Sequence, residues 1–506
     1  MDAHAPSAPR RRTPVWLAIV AASLPMFMAT LDNLVITNAL PAMRVELGAS
    51  MEELQWFVNA FTLSFASLIL AAAALGDRIG RRTVFIAAVS VFTLASVLVA
   101  FSSEPWMVIV SRAVQGVGAA GIMPLSLTLL AGSVPKERRA LAIGVWGGIS
   151  GLGVALGPLI GGAVIEAWNW QAIFWLNVPV GVLAVPLVIA ALPNPRGARQ
   201  RIDLPGVLLA GLGVLGVVYG IVRGNDAGWG SLEVIGSLVA GAALLVGFVL
   251  WESRSTAPLL PLRLFRDRGF TAANIVGLGF SFGMFGAVFI LIQFLQVVQG
   301  ATALEAGVQT MPWTLAPMFV APLAGLAAPR VGTRALIVAG LAMQTTALVW
   351  LALLLDADVA YLSLVAPFLL GGVGMALVFA PMSTAVLAGM PADDHAKASG
   401  TNSTLREVGV ALGVAVLTAV FTGAGGQLTP TGYVSAAVPA VLTGAAALAL
   451  ALVASLFLPA GRAVRAASAT EPADADAADA DAADRGPDAD ALRAAPDPRI
   501  PASAAV

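Results

Sequence analysis

The sequence contains no cysteine and only two histidines, His4 and His395, among its 506 residues. A disulfide framework, a thiol nucleophile and a metal site built on cysteine or clustered histidine are therefore excluded. The only two lysines, Lys136 and Lys397, lie outside any glycine-rich Walker loop, so this chain alone does not use ATP. The sequence also lacks the convergent polar clusters of an enzyme and the repeated filter of a channel. The protein is therefore predicted not to be an enzyme, and a channel is disfavoured as well.

Charged residues are scarce as well. They make up 11% of the chain, against roughly 25% in a soluble protein, whose surface must be hydrated. Hydrophobic types make up 58%, and the mean hydropathy is +0.87. The net charge of -1 lacks the basic footprint that nucleic-acid binding requires, so no nucleic-acid partner is expected. Membrane lipid is expected to surround most of the chain.

Long apolar runs, separated by polar breaks, dominate the sequence. A run of about 20 residues is long enough to cross a ~30 Å hydrocarbon core as a helix. Backbone groups must be hydrogen-bonded internally in lipid, and the runs lack the period-2 pattern of barrel strands, so we expect an all-α membrane protein. The fourteen runs lie near residues 15 to 40, 54 to 75, 83 to 102, 106 to 132, 140 to 165, 171 to 192, 204 to 223, 232 to 251, 270 to 298, 306 to 328, 333 to 355, 359 to 390, 398 to 422 and 435 to 458.

The basic residues of the loops are distributed unevenly. If the N-terminus is cytoplasmic, twenty-one of those up to residue 465 fall on the cytoplasmic side, among them Arg10, Lys136 and Arg263, whereas the outer loops keep only Arg44 and Arg223. Basic residues favour the cytoplasmic side of a membrane. The protein is therefore predicted to be a multi-pass protein of the cytoplasmic (inner) cell membrane with both termini in the cytoplasm.

A short motif occurs twice, after the second and after the tenth apolar run. The residues that align are Arg78 with Arg330, Gly80 with Gly332, and Arg82 with Arg334. The repeat predicts two six-helix bundles, over residues 15–192 and 270–458, and a linker over 193–269 that carries two inserted transmembrane helices. Residues 1–14 and the acidic segment 459–506 are poor in large apolar residues, which indicates disordered cytoplasmic tails. Parallel six-helix repeats with a site at their interface are typical of secondary transporters.

The repeated loop resembles the signature loop of the major facilitator superfamily, and the fourteen spans resemble its drug:proton antiporter branch, the multidrug efflux family. A glycine-rich stretch of span five resembles the antiporter motif of the same family. The residues that carry the loop are Asp77, Arg78, Gly80, Arg81 and Arg82, and those that carry the antiporter motif are Gly153, Gly157, Pro158, Gly161 and Gly162. Further matches include Leu31 to Pro41, Arg112, Gln115, Phe174, Asn177, and Ala398 to Gly413.

The resemblance implies the major facilitator fold, two six-helix bundles plus two inserted helices. It also implies a proton-coupled antiporter that exports amphipathic drugs or antibiotics by alternating access. Its partners would be small amphipathic molecules, protons and membrane lipid, and it would need no cofactor, because the proton gradient supplies the energy. A second interpretation keeps this fold for a dedicated exporter of one endogenous metabolite, such as an antibiotic made by its own host.

Four ionisable side chains fall well inside the predicted spans: Asp32, Arg112, Arg406 and Glu407. Each costs at least ~2.5 kcal/mol at the centre of a membrane helix, so each needs a partner or a water-filled space. Burial favours a neutral Asp32 and a nearby Arg112 favours a charged one, which suits proton exchange. A static ion pair that pins two helices is the alternative. Arg406 and Glu407 point about 100° apart, and each either contacts substrate or faces a neighbouring helix.

Gly153, Gly157 and Gly161 follow one another at a spacing of four residues, which predicts a smooth helical face that a neighbour can approach closely. Pro158 adds a bend. Taken by itself, this face is explained by ordinary small-residue packing, whereas the resemblance implies a sliding contact between the two bundles that seals the cytoplasmic exit.

The signature loop alternates in charge, so its Asp77 and arginines are predicted to form a latch between helix ends that breaks as the bundles rock. Topology alone explains the arginines as well.

Aromatic and methionine side chains at mid-span predict an adaptable apolar cavity for substrate. The candidate cavity residues are Trp56, Asn59, Phe285, Phe289, Gln293, Trp313, Met375, Phe379 and Met382, together with Arg406 and Glu407.

Overall fold

A computed structural model describes residues 14–195, 203–256, 258–391 and 394–459. Within these residues every regular element is helical, which confirms the all-α prediction. The helices are α1 Val15–Leu47, α2 Met51–Ile79, α3 Arg81–Ala100, α4 Pro105–Ser133, α5 Lys136–Ala167, α6 Ala172–Trp175, α7 Asn177–Ala191, α8 Leu204–Ala227, α9 Leu232–Glu252, a short 3-10 helix Leu262–Arg266, α10 Arg268–Val297, α11 Ala303–Gln309, α12 Met311–Val331, α13 Thr333–Leu354, α14 Tyr361–Leu387, α15 His395–Gly423 and α16 Pro430–Ser455. The predicted tails, except for residues 14 and 459, lie outside the described residues.

In the described part of the chain, thirteen helices are long and apolar enough to cross a membrane. The sixth predicted span consists of α6 and α7 placed end to end. Helix α5 has 32 residues, of which Leu156–Ala167 form a shorter apolar stretch. At 1.5 Å per residue α5 is about 48 Å long, which is enough to cross the membrane. The count of fourteen spans stays a prediction.

The repeated sequence motif corresponds to a repeated backbone conformation. Gly80 directly follows α2 and has a φ of 119°, and Gly332 directly follows α12 and has a φ of 95°. Such positive φ values favour glycine, which has no Cβ. At both places the next helix begins at the following residue, Arg81 or Thr333. The motif thus marks the same sharp connection in each half of the chain.

The helices pack into two bundles. In the first, α1 packs on α4, α5 and α7, while α3 packs on α4 and α7 and α2 on α4. In the second, α10 packs on α15 and α16, and α13 and α12 pack on α14. Helix α10 begins at Arg268, two residues before the predicted bundle boundary, because the side chain of Asp267 caps its first turn. The predicted domain boundaries otherwise stay predictions.

The inserted helices α8 and α9 pack on each other, and α8 also packs on α2 and on α15. On α8, Arg223 Nη1 forms an ion pair with Glu52 of α2 at 2.9 Å. Nearby, Asn225 Nδ2 donates to the carbonyl of Ala419 on α15 at 2.6 Å. The inserted pair therefore contacts both bundles.

Candidate functional site

Asp32 and Arg112 form an ion pair in the interior of the first bundle. Asp32 lies on α1 and Arg112 on α4, and Arg112 Nη1 lies 2.6 Å from Asp32 Oδ2. Arg112 is fully buried and Asp32 is 4% exposed, so solvent screens their attraction little. The structure thus places in direct contact the two residues for which the sequence predicts proton coupling.

Two amide side chains complete the contacts of the carboxylate. Gln115 Nε2 donates to Asp32 Oδ1 at 3.0 Å, and Asn177 Nδ2 donates to the same oxygen at 2.7 Å. The hydroxyl of Ser96 accepts from both amides, at 2.9 and 3.2 Å. Sequence analysis matched Gln115 and Asn177 only as motif positions and missed Ser96. Their position as polar residues inside apolar runs could have indicated that they contact one another, because buried polar groups need hydrogen-bond partners.

Arg112 is anchored to α2 as well. Its Nε donates to the carbonyl of Phe57 at 3.0 Å, and its guanidinium carbon lies 4.4 Å from the centre of the Phe61 ring. A contact of this cation–π type contributes ~0.5–2 kcal/mol. Because Arg112 is held on α2 and α4 while Asp32 lies on α1, a displacement of α1 would separate the pair.

The carboxyl group of Asp32 accepts three hydrogen bonds, one of them from the cation Arg112. Removing one partner of a buried ion pair costs ~3–5 kcal/mol, because the other charge is left uncompensated. Breaking the contact between Asp32 and Arg112 is therefore costly while both remain charged. A static pair between α1 and α4 would have the same geometry in this conformation.

The signature loop connects helix ends within the first bundle. Arg81 Nε forms an ion pair with Asp77 Oδ1 at 2.7 Å. Arg82 Nη1 donates to the carbonyls of Ile189 and Leu192 at the end of α7, at 3.1 and 3.0 Å. The loop thus ties α2 and α3 to α7, and in this conformation these contacts do not reach the second bundle.

The glycine face of α5 packs against α1 of its own bundle. A Cβ atom at Gly153 would lie 3.3 Å from Thr30 Cβ, and one at Gly157 would lie 3.1 Å from Leu34 Cβ. At Gly161 it would meet a side-chain carbon of Val35 at 2.5 Å. In this conformation the three glycines lie against α1, and the sliding contact between the two bundles stays a prediction.

Other residues of the same motif do reach the second bundle. A Cβ atom at Gly162 would lie 2.6 Å from Leu304 Cα on α11, and the carbonyl of Pro158 lies against Gly307. Side chains of α1 and α10 add hydrogen bonds at this level. Asn38 Nδ2 donates to the carbonyls of Pro158 (2.8 Å) and Ala303 (3.5 Å), and Gln296 Nε2 donates to the carbonyl of Asn38 (3.2 Å).

We call this contact between the bundles the seal, made by Asn38, Pro158, Gly162, Gln296 and Ala303. It lies towards the end of α1 and the start of α11, away from the signature loop. The antiporter motif therefore has two surfaces, one against α1 and one across the seal.

The candidate cavity residues separate into several environments. Trp56 packs against Tyr219 of the inserted helix α8, with ring centres 6.3 Å apart. Asn59 is fully buried, and neither of its side-chain amide atoms has a partner in the described part of the chain. The residues buried in the second bundle are Phe289, Gln293, Trp313, Met375 and Met382, and Phe285 is partly buried there.

Arg406 and Glu407 point to different neighbours, as their adjacency predicts. The guanidinium carbon of Arg406 lies 4.1 Å from the centre of the Phe379 ring on α14. Glu407 has a buried carboxylate oxygen without a partner among the described residues. A buried polar atom without a partner costs ~1–3 kcal/mol, so both side chains are candidates for a role beyond packing.

Known proteins are similar to this chain in sequence and in fold. The model of the Major Facilitator Superfamily matches residues 22–414. The tetracenomycin C resistance and export protein of Streptomyces glaucescens is 32% identical over 441 residues, which cover 87% of this chain and 82% of the relative. The cephamycin export protein CmcT of Amycolatopsis lactamdurans is 36% identical over 422 residues, 82% of this chain and 86% of the relative.

The multidrug resistance protein Stp of Mycobacterium tuberculosis is 34% identical over 406 residues, which cover 80% of this chain and 75% of the relative. Among solved structures, the peptide transporter POT in complex with sulfate superposes with a TM-score of 0.62 at 17% identity, over 87% of this chain and 95% of that one. This likeness supports the fold alone. The protein belongs to the Major Facilitator Superfamily, a family of multi-pass membrane transporters.

Proposed function

We propose that the protein is a proton-coupled antiporter that exports amphipathic drugs or antibiotics across the cytoplasmic membrane by alternating access. The observation that carries the proposal is the buried Asp32–Arg112 pair. An ionisable residue inside a membrane span is by default a functional candidate, because its burial is costly. The names of the relatives, which describe drug resistance and antibiotic export, support the direction of transport and the substrate class.

Proton coupling requires a group whose protonation differs between the two states of the transporter. In this conformation Asp32 accepts hydrogen bonds from Arg112, Gln115 and Asn177. All these donors belong to the first bundle, so rocking of rigid bundles alone would not separate them. The coupling must therefore pass through a shift of α1 relative to α4 and α7.

Helix α1 provides the connection between the coupling cluster and the seal. Asn38 follows Asp32 by six residues, or about 9 Å along the helix. When the seal opens, Asn38 loses its contacts with Ala303 and Gln296, and α1 is released on that side. We propose that this movement separates Asp32 from Arg112 and allows the carboxylate to take up a proton.

Proteoliposomes test the proposed function directly. The purified protein should concentrate an amphipathic dye only when a pH gradient is imposed, and a protonophore should abolish the accumulation. Equal dye movement with and without the gradient would contradict antiport and would indicate a passive route.

A dedicated exporter of one metabolite is the second candidate function. It is favoured by the names of two relatives, which each specify a single antibiotic. A resistance screen of cells with and without the protein, across dyes, quaternary amines and antibiotics, distinguishes the two. Protection against a single chemical scaffold would support the dedicated exporter, and protection across scaffolds would support the multidrug exporter.

The proposed orientation places both termini in the cytoplasm, as the distribution of basic residues favours. Since the chain lacks cysteine, single cysteines can be labelled without background. In intact cells an impermeant maleimide should label Asp226→Cys and Asp358→Cys but neither Arg263→Cys nor Lys397→Cys. Labelling at position 263 or 397 before permeabilisation would contradict the orientation and the fourteen spans.

Gly157→Leu is expected to reduce transport strongly, because the new side chain would overlap Leu34 where a Cβ atom alone already lies at 3.1 Å. Overpacking of this kind costs ~1–3 kcal/mol and displaces α1, which carries Asp32. The measurement is export per molecule in the membrane, quantified by immunoblot. Normal export by Gly157→Leu would show that the close packing of α1 on α5 is dispensable.

A further inference from the structure

Arg406 presents an unpaired positive charge in the second bundle. Its side chain is partly exposed, and in the described part of the chain it forms neither an ion pair nor a hydrogen bond. Its stem packs on α10, with Cγ 3.3 Å from where a Cβ atom of Gly277 would lie. The charged group therefore lies among α10, α14 and α15 with its N–H donors available.

An aromatic wall lies beside this charge. The guanidinium carbon is 4.1 Å from the centre of the Phe379 ring. The Phe379 ring meets Phe280 of α10 edge to face, with ring centres 5.6 Å apart and an interplanar angle of 77°. The ring therefore orients the planar guanidinium without using its hydrogen-bond donors, since a cation–π contact involves the face of the ion.

Glu407 is the neighbour of Arg406 in the chain and attracts it at a distance, but among the described residues neither Glu407 nor Asp32 forms an ion pair with Arg406. The carboxylate of Asp32 is occupied by Arg112. Glu407 precedes Ala411 by four residues and therefore shares its helical face. Ala411 packs with Leu63 of α2 and with α8. Glu407 thus faces the α2–α8 side of α15, whereas Arg406 faces α10 and α14.

The neighbouring polar groups are neutral. On the α10 side of α15, Asn402 Nδ2 donates to Asn274 Oδ1 at 3.3 Å, and Asn274 Nδ2 donates to the carbonyl of Phe270 at 2.8 Å. These amides are buried and partnered within the bundle. The guanidinium beside Phe379 is therefore left without a directly bonded counter-charge in the described part of the chain, and a bound molecule could supply one.

We propose that Arg406 and Phe379 form a substrate subsite for an anionic group carried on an aromatic ring, such as a carboxylate or a phenolate. The inference rests on the proposed export function and specifies its substrate class as acidic aromatic molecules. A guanidinium can donate two parallel hydrogen bonds to a carboxylate, and these charge-assisted bonds are the strong ones. The substrate ring would pack on the exposed part of Phe379, which the buried Phe280 holds in place from behind.

Three probes that share one ring isolate the effect of charge: 1-naphthoate, 1-naphthalenemethanol and 1-naphthylmethylammonium. Binding is measured by calorimetry with the purified full-length protein. We expect the wild type to bind the anion at least about tenfold more tightly than the ammonium ion, because a charge-assisted bond is about twice as strong as a neutral one. Equal binding of the three probes, or no binding of any, would overturn the proposal.

Variants identify the residue responsible. Arg406→Gln should abolish the preference for the anion and leave binding of the alcohol nearly unchanged, while Arg406→Lys should retain part of the preference because it keeps the charge. Arg254→Gln removes one positive charge from an exposed loop and should change none of the three affinities. A preserved preference in Arg406→Gln would assign anion recognition to another group.

Transport of the same probes separates this inference from the proposed function. If proteoliposomes export the ammonium ion or the alcohol but not the anion, the proposed function stands and the assignment of Arg406 fails. If the wild type exports none of them under a pH gradient while it still prefers to bind the anion, the subsite stands and the export proposal fails.

Discussion

Asp32→Asn is expected to abolish export driven by a pH gradient, while the protein still reaches the membrane. Asparagine has nearly the shape of aspartate but does not titrate, so proton and substrate movement lose their common group. Binding of uncharged substrates should persist. Cationic substrates should lose affinity if the carboxylate also serves as their counter-charge. The measurement is substrate accumulation in everted vesicles, with the amount of inserted protein determined in the same preparation.

The variant also leaves Arg112 as a buried charge without its partner, which costs ~3–5 kcal/mol. The double variant Asp32→Asn with Arg112→Gln removes both charges and provides the control for this effect. If the cluster were only a static connection between α1 and α4, the neutral double variant should recover export. Under the proposed mechanism both variants should be inactive.

Gly162→Leu is expected to abolish transport by preventing the seal from closing. A Cβ atom at position 162 would already lie 2.6 Å from Leu304 Cα, and backbone atoms cannot move aside as a side chain can. Overpacking costs ~1–3 kcal/mol, which is enough to shift the two conformations by about tenfold or more. A cysteine at Gln293, which is 1% exposed near the seal, should then react about tenfold faster with an impermeant maleimide.

The same substitution in an open position provides the control. Gly147 also lies on α5, but a Cβ atom there would have no neighbour within 4 Å. Gly147→Leu should therefore export normally and leave the labelling rate at position 293 unchanged. Slow labelling at position 293 in the Gly162→Leu variant would show that the bundles separate elsewhere.

The sequence predicts the fold well because lipid allows few alternatives. Backbone groups in a membrane must bond within helices, so apolar runs of sufficient length correspond closely to the helices of the structure. The glycine that occurs in both copies of the motif, Gly80 and Gly332, was also informative. In each half of the chain its positive φ allows one helix to follow another directly. The start of α11 at Ala303 was missed, because Thr302 and Glu305 form a local capping box that a hydropathy pattern does not show.

The candidate site was only partly predictable. Asp32 and Arg112 stand out in apolar runs, since a charge in lipid needs a partner, and the structure confirms their contact. Ser96 is a small polar residue, common in membrane helices, and only the three-dimensional arrangement shows that it joins Gln115 and Asn177. The glycine spacing on α5 predicted close approach of a neighbour, but which helix approaches depends on bundle packing, and it is α1.

Substrate-induced proton release is the measurement that tests proton coupling through Asp32 most directly. The wild type and Asp32→Asn are compared side by side in weakly buffered detergent solution with a pH indicator, after saturating substrate is added. The proposed mechanism predicts proton release by the wild type and none by Asp32→Asn, although the variant still binds the uncharged substrate. Full proton release by Asp32→Asn would contradict the mechanism and would transfer the coupling role to another group, of which Glu407 is the first candidate.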